Sequence, residues 1–396
     1  MSSPKHGAPA GASETNISRR QLVGAAAATA AGFAVRGGGF ARPQLTGSDD
    51  SPNRAPIPRS RRGLMAYTAR GLLVNDKAKY PTLPSGWREL FDVAASIGFT
   101  GIEFFSFTGT ASFMQAPGAD GGSNPSAAQV RKWLDAAGLK AIGHYNAGVA
   151  KNAATGLNPT TIDAALEAAG ILGQPLTGSH DATDVMRQKS EVDAAIDSWN
   201  KMAVKASRAG IPIYSHAHDA PWNFLLDSGP TDSQGKRTRS SGIRVMEYFL
   251  KNTDPKWVRC EMDLFWAHVA QFKYASYLAA DGSKVADHFD PARQVAKDPS
   301  RYPILHAKDG IKAPKTDFGW IFCPFGYGDI DIERFLKNSQ IAKVNPWWSC
   351  EQDNADGGDA DPQKAVRDIA SGYRGLSTLG LAGGVGKPFG TATTNK

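Results

Sequence analysis

Between residues 63 and 380 a short β-branched or aromatic run, a polar loop and a stretch of helical period follow one another eight times, an order that predicts an α/β chain folded as a (β/α)8 TIM barrel. Two further observations point the same way. The unusual polar residues collect at the C-terminal ends of the strand-like runs, where barrels carry their chemistry. No Gly-rich phosphate turn follows the first run, as a doubly wound open sheet of five or six strands would normally have.

The strand-like runs are Leu64–Thr68, Gly101–Ser106, Lys140–Tyr145, Pro175–His180, Pro212–His218, Val258–Trp266, Tyr302–Lys308 and Trp347–Glu351. Helical periods lie near 85–98, 126–137, 160–172, 191–208, 243–252, 290–298, 331–339 and 362–379. Gly98, Gly138 and Gly210 follow three of these periods, where a left-handed residue stops a helix.

The chain ahead of the barrel reads as an address and a spacer. Ser18-Arg19-Arg20-Gln21-Leu22-Val23 precedes a modestly apolar Ala/Gly-rich run, and residues 1–42 resemble a twin-arginine signal peptide, which implies a periplasmic or secreted protein. That run is too short and too small in its side chains for a stable membrane span. Residues 43–62, with Pro43, Pro52, Pro56 and Pro58, read as a linker, and 381–396 as a flexible tail. Residues 1–62 carry nine Lys/Arg against three acids, +6 of the net +7, so the body is left at +1. A near-neutral body has no electrostatic footprint for a nucleic acid. Cys260, Cys323 and Cys350 are an odd number without metal-ligand spacing, and they read as buried structural thiols.

Five of the eight histidines fall at strand ends, among them His144 and His180, each of which could equally be a satisfied core residue. Side chains alternate along a strand, so His216/His218, Glu261/Asp263, His306/Lys308 and Glu351/Asp353 each share a face, while Met262, Leu264, Leu305 and Ala307 point toward the helices. Charges aimed into a barrel mouth are costly unless they pair or hold a metal. Asp263, His306 and Glu351, on three consecutive strands, offer oxygen, nitrogen and oxygen ligands that suit Mn2+, Mg2+, Co2+ or Zn2+. Glu103, His144, His180 and His216 are candidate substrate contacts. Trp222, Phe265, Trp266, Trp347 and Trp348 add aromatic surface, with Trp222 and Trp266 the candidates for a sugar face.

Six motifs in order, Gly101-Ile102-Glu103, His216-Ala217-His218, Glu261-Met262-Asp263-Leu264-Phe265-Trp266, Leu305-His306-Ala307-Lys308-Asp309, Gly326-Tyr327-Gly328-Asp329-Ile330-Asp331 and Cys350-Glu351-Gln352-Asp353-Asn354, resemble the sugar phosphate isomerase/epimerase group of xylose isomerase-like TIM barrels. The resemblance implies a divalent metal held by Glu, Asp, His and Glu at the ends of strands five to eight. The last three fall on Asp263, His306 and Glu351. It also implies that the two glutamates transfer protons on opposite faces of the sugar. The fifth strand departs from this pattern. His218 is followed by Asp219-Ala220-Pro221-Trp222-Asn223, and with two residues inserted Asn223 takes the Glu slot, able to ligate but not to act as a base. His218 is the other candidate for that role.

The expected activity is metal-dependent isomerisation or epimerisation of a small carbohydrate through proton abstraction beside a carbonyl. The missing Glu favours two alternatives: an elimination, for which Glu351 as base and a metal suffice and which the family resemblance links to cleavage of 3-keto-glycosides, and a sugar-binding barrel without catalysis. Lys308 is placed to stabilise an enolate oxygen, or else forms a rim salt bridge with Asp309. The amides of the Gly326–Gly328 turn are a potential anion site. Oligomeric state has no signature in the sequence.

Overall fold

The computed structural model describes residues 57–105, 125–145, 159–179, 182, 183 and 185–379. The arginine pair, most of the 43–62 segment, His180 and the 381–396 tail lie outside them. Eight strands form one sheet: β1 (Arg62–Met65), β2 (Gly101–Phe105), β3 (Lys140–Tyr145), β4 (Thr177–Ser179), β5 (Ile213–Ala217), β6 (Val258–Asp263), β7 (Ile304–Ala307) and β8 (Trp347–Cys350). Their spatial order is β3-β2-β1-β8-β7-β6-β5-β4, with every described pair parallel, so the sheet curls into a nearly closed barrel.

The surrounding helices are α1 (Gly86–Ile97), α2 (Ala127–Ala137), α3 (Pro159–Leu172), α4 (Lys189–Ala209), α5 (Val245–Asn252), α6 (Leu264–Lys273), α7 (Pro291–Lys297), α8 (Ile332–Ser339) and α9 (Lys364–Thr378). Their apolar stripes explain their orientation. In α4, Val192, Ala195, Ile196, Trp199, Met202, Ala203 and Ala206 recur at three- and four-residue steps and are all buried. Gly138 and Gly210 close α2 and α4 in the left-handed region, where a Cβ would be strained. None of the described helices is long and apolar enough to cross a membrane.

A small inner cluster of Ile142, Leu176, Tyr214, Ile304 and Trp347 fills the barrel, and the larger core lies between strands and helices. Ordered packing begins ahead of β1, because Ile57 is buried and its carbonyl accepts from the Arg62 guanidinium at 3.0 and 3.2 Å.

Two expectations about the elements are corrected. The sixth strand does not run to Trp266. Asp263 ends it, because its carboxylate accepts from the Trp266 backbone N–H at 3.1 Å and so caps α6. The first strand stops at Met65, and Ala66–Ala69 form a 3-10 turn. Three antiparallel hairpins also interrupt the strand-helix alternation: Ser228–Thr231 with Arg237–Arg239, Ser276–Leu278 with Lys284–Ala286, and Asp309–Lys312 with Trp320–Cys323.

Candidate active site

The strand registers assemble the site. His216 of β5 lies beside Glu261 of β6, and Asp263 beside His306 of β7. Ala307 pairs with Cys350 of β8, which brings Lys308 level with Glu351 just beyond the strand ends. Parallel strands one register apart hold same-face side chains close, so the sequence alternation becomes a two-tiered cluster.

The lower tier is sealed. The Tyr214 hydroxyl donates to Glu103 Oε1 at 2.7 Å, and His216 Nδ1 lies 2.8 Å from Glu261 Oε2. His306 Nε2 lies 3.1 Å from Glu103 Oε2 and 3.2 Å from Glu261 Oε1. Burial, with Glu103 alongside, raises the Glu261 carboxyl well above the usual range.

The upper tier faces the mouth. Lys308 Nζ sits 2.9 Å from Asp263, 2.7 Å from Glu351 and 2.9 Å from Asp353, and is itself buried. The other nitrogen of His306, Nδ1, lies 2.7 Å from Glu351 and 3.6 Å from Asp263. Burial alone would raise the Glu351 pKa, but Lys308 and His306 outweigh it and hold the carboxyl well below the usual range. Burial would likewise depress Lys308 and His306. The surrounding carboxylates win, and both are raised.

The residues present fit a divalent cation. Ligand atoms of Asp263, His306 and Glu351 lie within 4.8 Å of one another, as do those of His216, His218 and Asp263, and of His216, Glu261 and His306. With Glu261 held neutral, the four remaining acids (Glu103, Asp263, Glu351 and Asp353) outnumber Lys308 and His306, leaving room in the charge balance for a further cation. His306 is also oriented as metal-binding histidines are, one nitrogen toward the oxygen donors and the other held by carboxylates.

The remaining candidates separate. His218 is partly exposed at the end of β5, its ring 4.6 Å from His216 and 5.0 Å from Trp266. Trp266 stays at the mouth, on the first turn of α6. Trp222 does not: it is fully buried and stacked on Phe289 at 5.0 Å. Asn223 Oδ1 accepts from the Phe224 backbone N–H at 2.7 Å. His144 is buried, and desolvation lowers its pKa to about 3, so it is a neutral imidazole. Phe265, Trp347 and Trp348 are core residues. Asp219 is taken up by Lys273 at 2.5 Å and the Tyr274 hydroxyl at 3.0 Å.

The rim salt bridge between Lys308 and Asp309 is replaced by another arrangement. Asp309 turns away and accepts from the Gly326 and Gly328 backbone N–H groups at 3.0 Å each, so the amides that the sequence offers to an external anion serve an internal carboxylate. Burial raises that carboxyl to about 6. Three participants escaped sequence reasoning as site residues: Glu261, Asp353 and Tyr214. The first two were legible as same-face partners of Asp263 and Glu351. Tyr214 had only its apolar strand position to offer.

The fold is an eight-stranded barrel with acids, imidazoles and a buried lysine gathered at its strand ends. The chain belongs to the xylose isomerase-like TIM barrel family, whose pattern matches residues 91–374. Among solved structures it is similar to a sugar phosphate isomerase/epimerase from Parabacteroides distasonis, with a TM-score of 0.54, 18% identity, and coverage of 81% of this chain and 96% of that one. It is also similar to the IolI protein with a bound zinc atom, with a TM-score of 0.51, 12% identity, and coverage of 80% and 98%. A third is the probable 3-DHS dehydratase AsbF of Bacillus anthracis, with a TM-score of 0.50, 10% identity, and coverage of 78% and 97%. At these identities the likeness is one of fold. No curated protein matches the chain by sequence.

Proposed function

We propose that this protein is an enzyme that removes a proton from the carbon beside a carbonyl of a non-phosphorylated sugar, with Glu351 as the base, and that its main outcome is β-elimination from a 3-keto-glycoside. The observation that carries the reading is the Lys308–Glu351 contact of 2.7 Å: a carboxylate that would take the proton, beside an ammonium that would offset the developing negative charge. A divalent cation of the Mn2+, Mg2+, Co2+ or Zn2+ class, held by Asp263, His306 and Glu351, would polarise the carbonyl.

The chain's own groups divide the remaining work. Glu351 takes the C2 proton, and the positive charge of Lys308 offsets the negative charge that develops on the C3 oxygen. The C1–O bond then breaks as His218 passes a proton to the departing oxygen, giving an enone and an alcohol. Two-sided epimerisation needs a base on the opposite face. Among the described residues of the β5 end, Asp219 is tied to Lys273 and Asn223 is folded onto Phe224, while His218 stands partly exposed at the strand end. Epimerisation is the second reading, and it rests on that imidazole. A substrate without phosphate is supported by Asp309, which already fills the amides of the Gly326–Gly328 turn. We also propose export by the twin-arginine route, on Arg19 and Arg20.

The test is NMR of the metal-loaded protein with methyl 3-keto-β-D-glucoside. Methanol release supports elimination. Inversion at carbon without methanol release supports epimerisation, and an unchanged substrate removes both.

A further inference from the structure

Among the described residues, one side of the site is aromatic. From Lys308 an aromatic wall runs outward: the ammonium lies 5.9 Å from the Trp266 ring and 5.7 Å from that of Phe322. Trp266 then meets Phe318 edge-on at 5.1 Å and Phe322 at 5.8 Å. His218, the proposed proton donor at the end of β5, also stands edge-on to Trp266.

The wall is built, not incidental. Asp263 fixes Trp266 on the first turn of α6 by accepting its backbone N–H. In the Asp309–Cys323 hairpin, Phe322 pairs with Gly310, and that glycine leaves space for the ring of Phe265, which stacks on Phe322 at 4.1 Å. A Cβ on Gly310 would come 2.6 Å from the Phe265 ring. The outer end is Phe318, 40% exposed although it is a large apolar residue. An exposed ring continuous with an acid–base cluster has a cost in water that a ligand can relieve.

We infer that Trp266, Phe318 and Phe322 form a subsite for an apolar, aromatic leaving group of a glycoside, seated beside His218 while the sugar ring lies over Glu351 and Lys308. Phe318 and Phe322 are hydrocarbon surfaces, so they match an aryl group better than a second hydroxylated ring, whose polar groups would lose water without replacement. The inference rests on the proposed reaction and names its substrate class.

The experiment measures binding apart from turnover. Isothermal titration of metal-loaded protein would compare 4-nitrophenyl β-D-glucopyranoside with methyl β-D-glucopyranoside, in wild type, Phe318→Ala and Phe318→Trp. The expected result is tighter binding of the aryl glycoside. It weakens roughly threefold to tenfold in Phe318→Ala, recovers in Phe318→Trp, and is accompanied by no change for the methyl glycoside. Equal binding of both glycosides by the wild type overturns the subsite, even if keto-glycosides are cleaved. Wall-dependent aryl binding with no methanol release from methyl 3-keto-β-D-glucoside keeps the subsite and removes the proposed reaction. Self-association that Phe318→Ala abolishes, with no effect on aryl binding, assigns the patch to a second copy of the chain and also overturns it.

Discussion

Replacing Lys308 by Met tests the electrostatic core of the site. The ammonium is buried between Asp263, Glu351 and Asp353, each within 2.9 Å, and Met keeps much of the stem while removing the charge. Breaking a buried ion pair from one side costs about 3–5 kcal/mol, because the partner charge stays behind without compensation. Unfolding entropy of about 2.1 cal/mol/K per residue, over the roughly 290 described residues, gives about 0.6 kcal/mol/K, so the loss corresponds to a fall in Tm of about 5–8 °C. The assay is thermal and urea unfolding in EDTA, repeated with Mn2+. The variant should be destabilised by that amount without metal and should regain more stability than wild type on adding it, because the cation then neutralises carboxylates that no lysine serves. At one hundred times Kd, binding contributes about 2.7 kcal/mol. A variant within about 1 kcal/mol of wild type in EDTA would refute the reasoning, since a surface pair would behave that way.

Three further outcomes follow from other parts of the chain. Gly328→Ala should lower Tm by several degrees, because the added Cβ would overlap the Asp309 carboxylate and the Gly310 carbonyl; an unchanged Tm would show that the turn is not packed as described. The three buried thiols should resist Ellman's reagent at pH 8 until the protein is unfolded, with Cys350 pushed up to about 12 by burial and by Glu351; rapid labelling of native protein would contradict that burial. Changing Arg19 and Arg20 together to Lys should retain the precursor in the cytoplasm with the barrel folded, as read by fractionation and circular dichroism, and normal export of the double variant would remove the localisation.

The barrel was legible because its signal is repetitive: eight apolar runs and eight amphipathic periods, each stating the same alternation. Asp263, His306, Lys308 and Glu351 were legible because charged residues at strand ends are costly unless they act together. What escaped has local physical causes. Asp263 is at once a strand end and a helix cap, so the apolar residues after it, Leu264 to Trp266, read as more strand when they begin α6. The Asp309–Cys323 hairpin carries its pairing in the register between two short runs separated by a polar turn, and sequence periodicity does not encode which partner a run chooses. Trp222 looked like a sugar platform because aromatic residues serve both surfaces and cores; only the position of Phe289 decides between them. Lys308 pairs with three carboxylates because Asp309 is engaged elsewhere, and that choice depends on a turn seventeen residues downstream.

The central claim is that Glu351 takes a proton from carbon, and deuterium exchange measures it without reference to the product. Metal-loaded wild type and Glu351→Gln would be incubated with methyl 3-keto-β-D-glucoside in D2O, with metal content determined in both. Proton NMR would then follow the C2 signal of the remaining substrate and the vinylic signal of the product. The account predicts proton loss at C2 in the wild type, slowed at least about a hundredfold in the Gln variant, the scale of a lost general base. Exchange at wild-type rate in a Glu351→Gln protein that still binds its metal would contradict it.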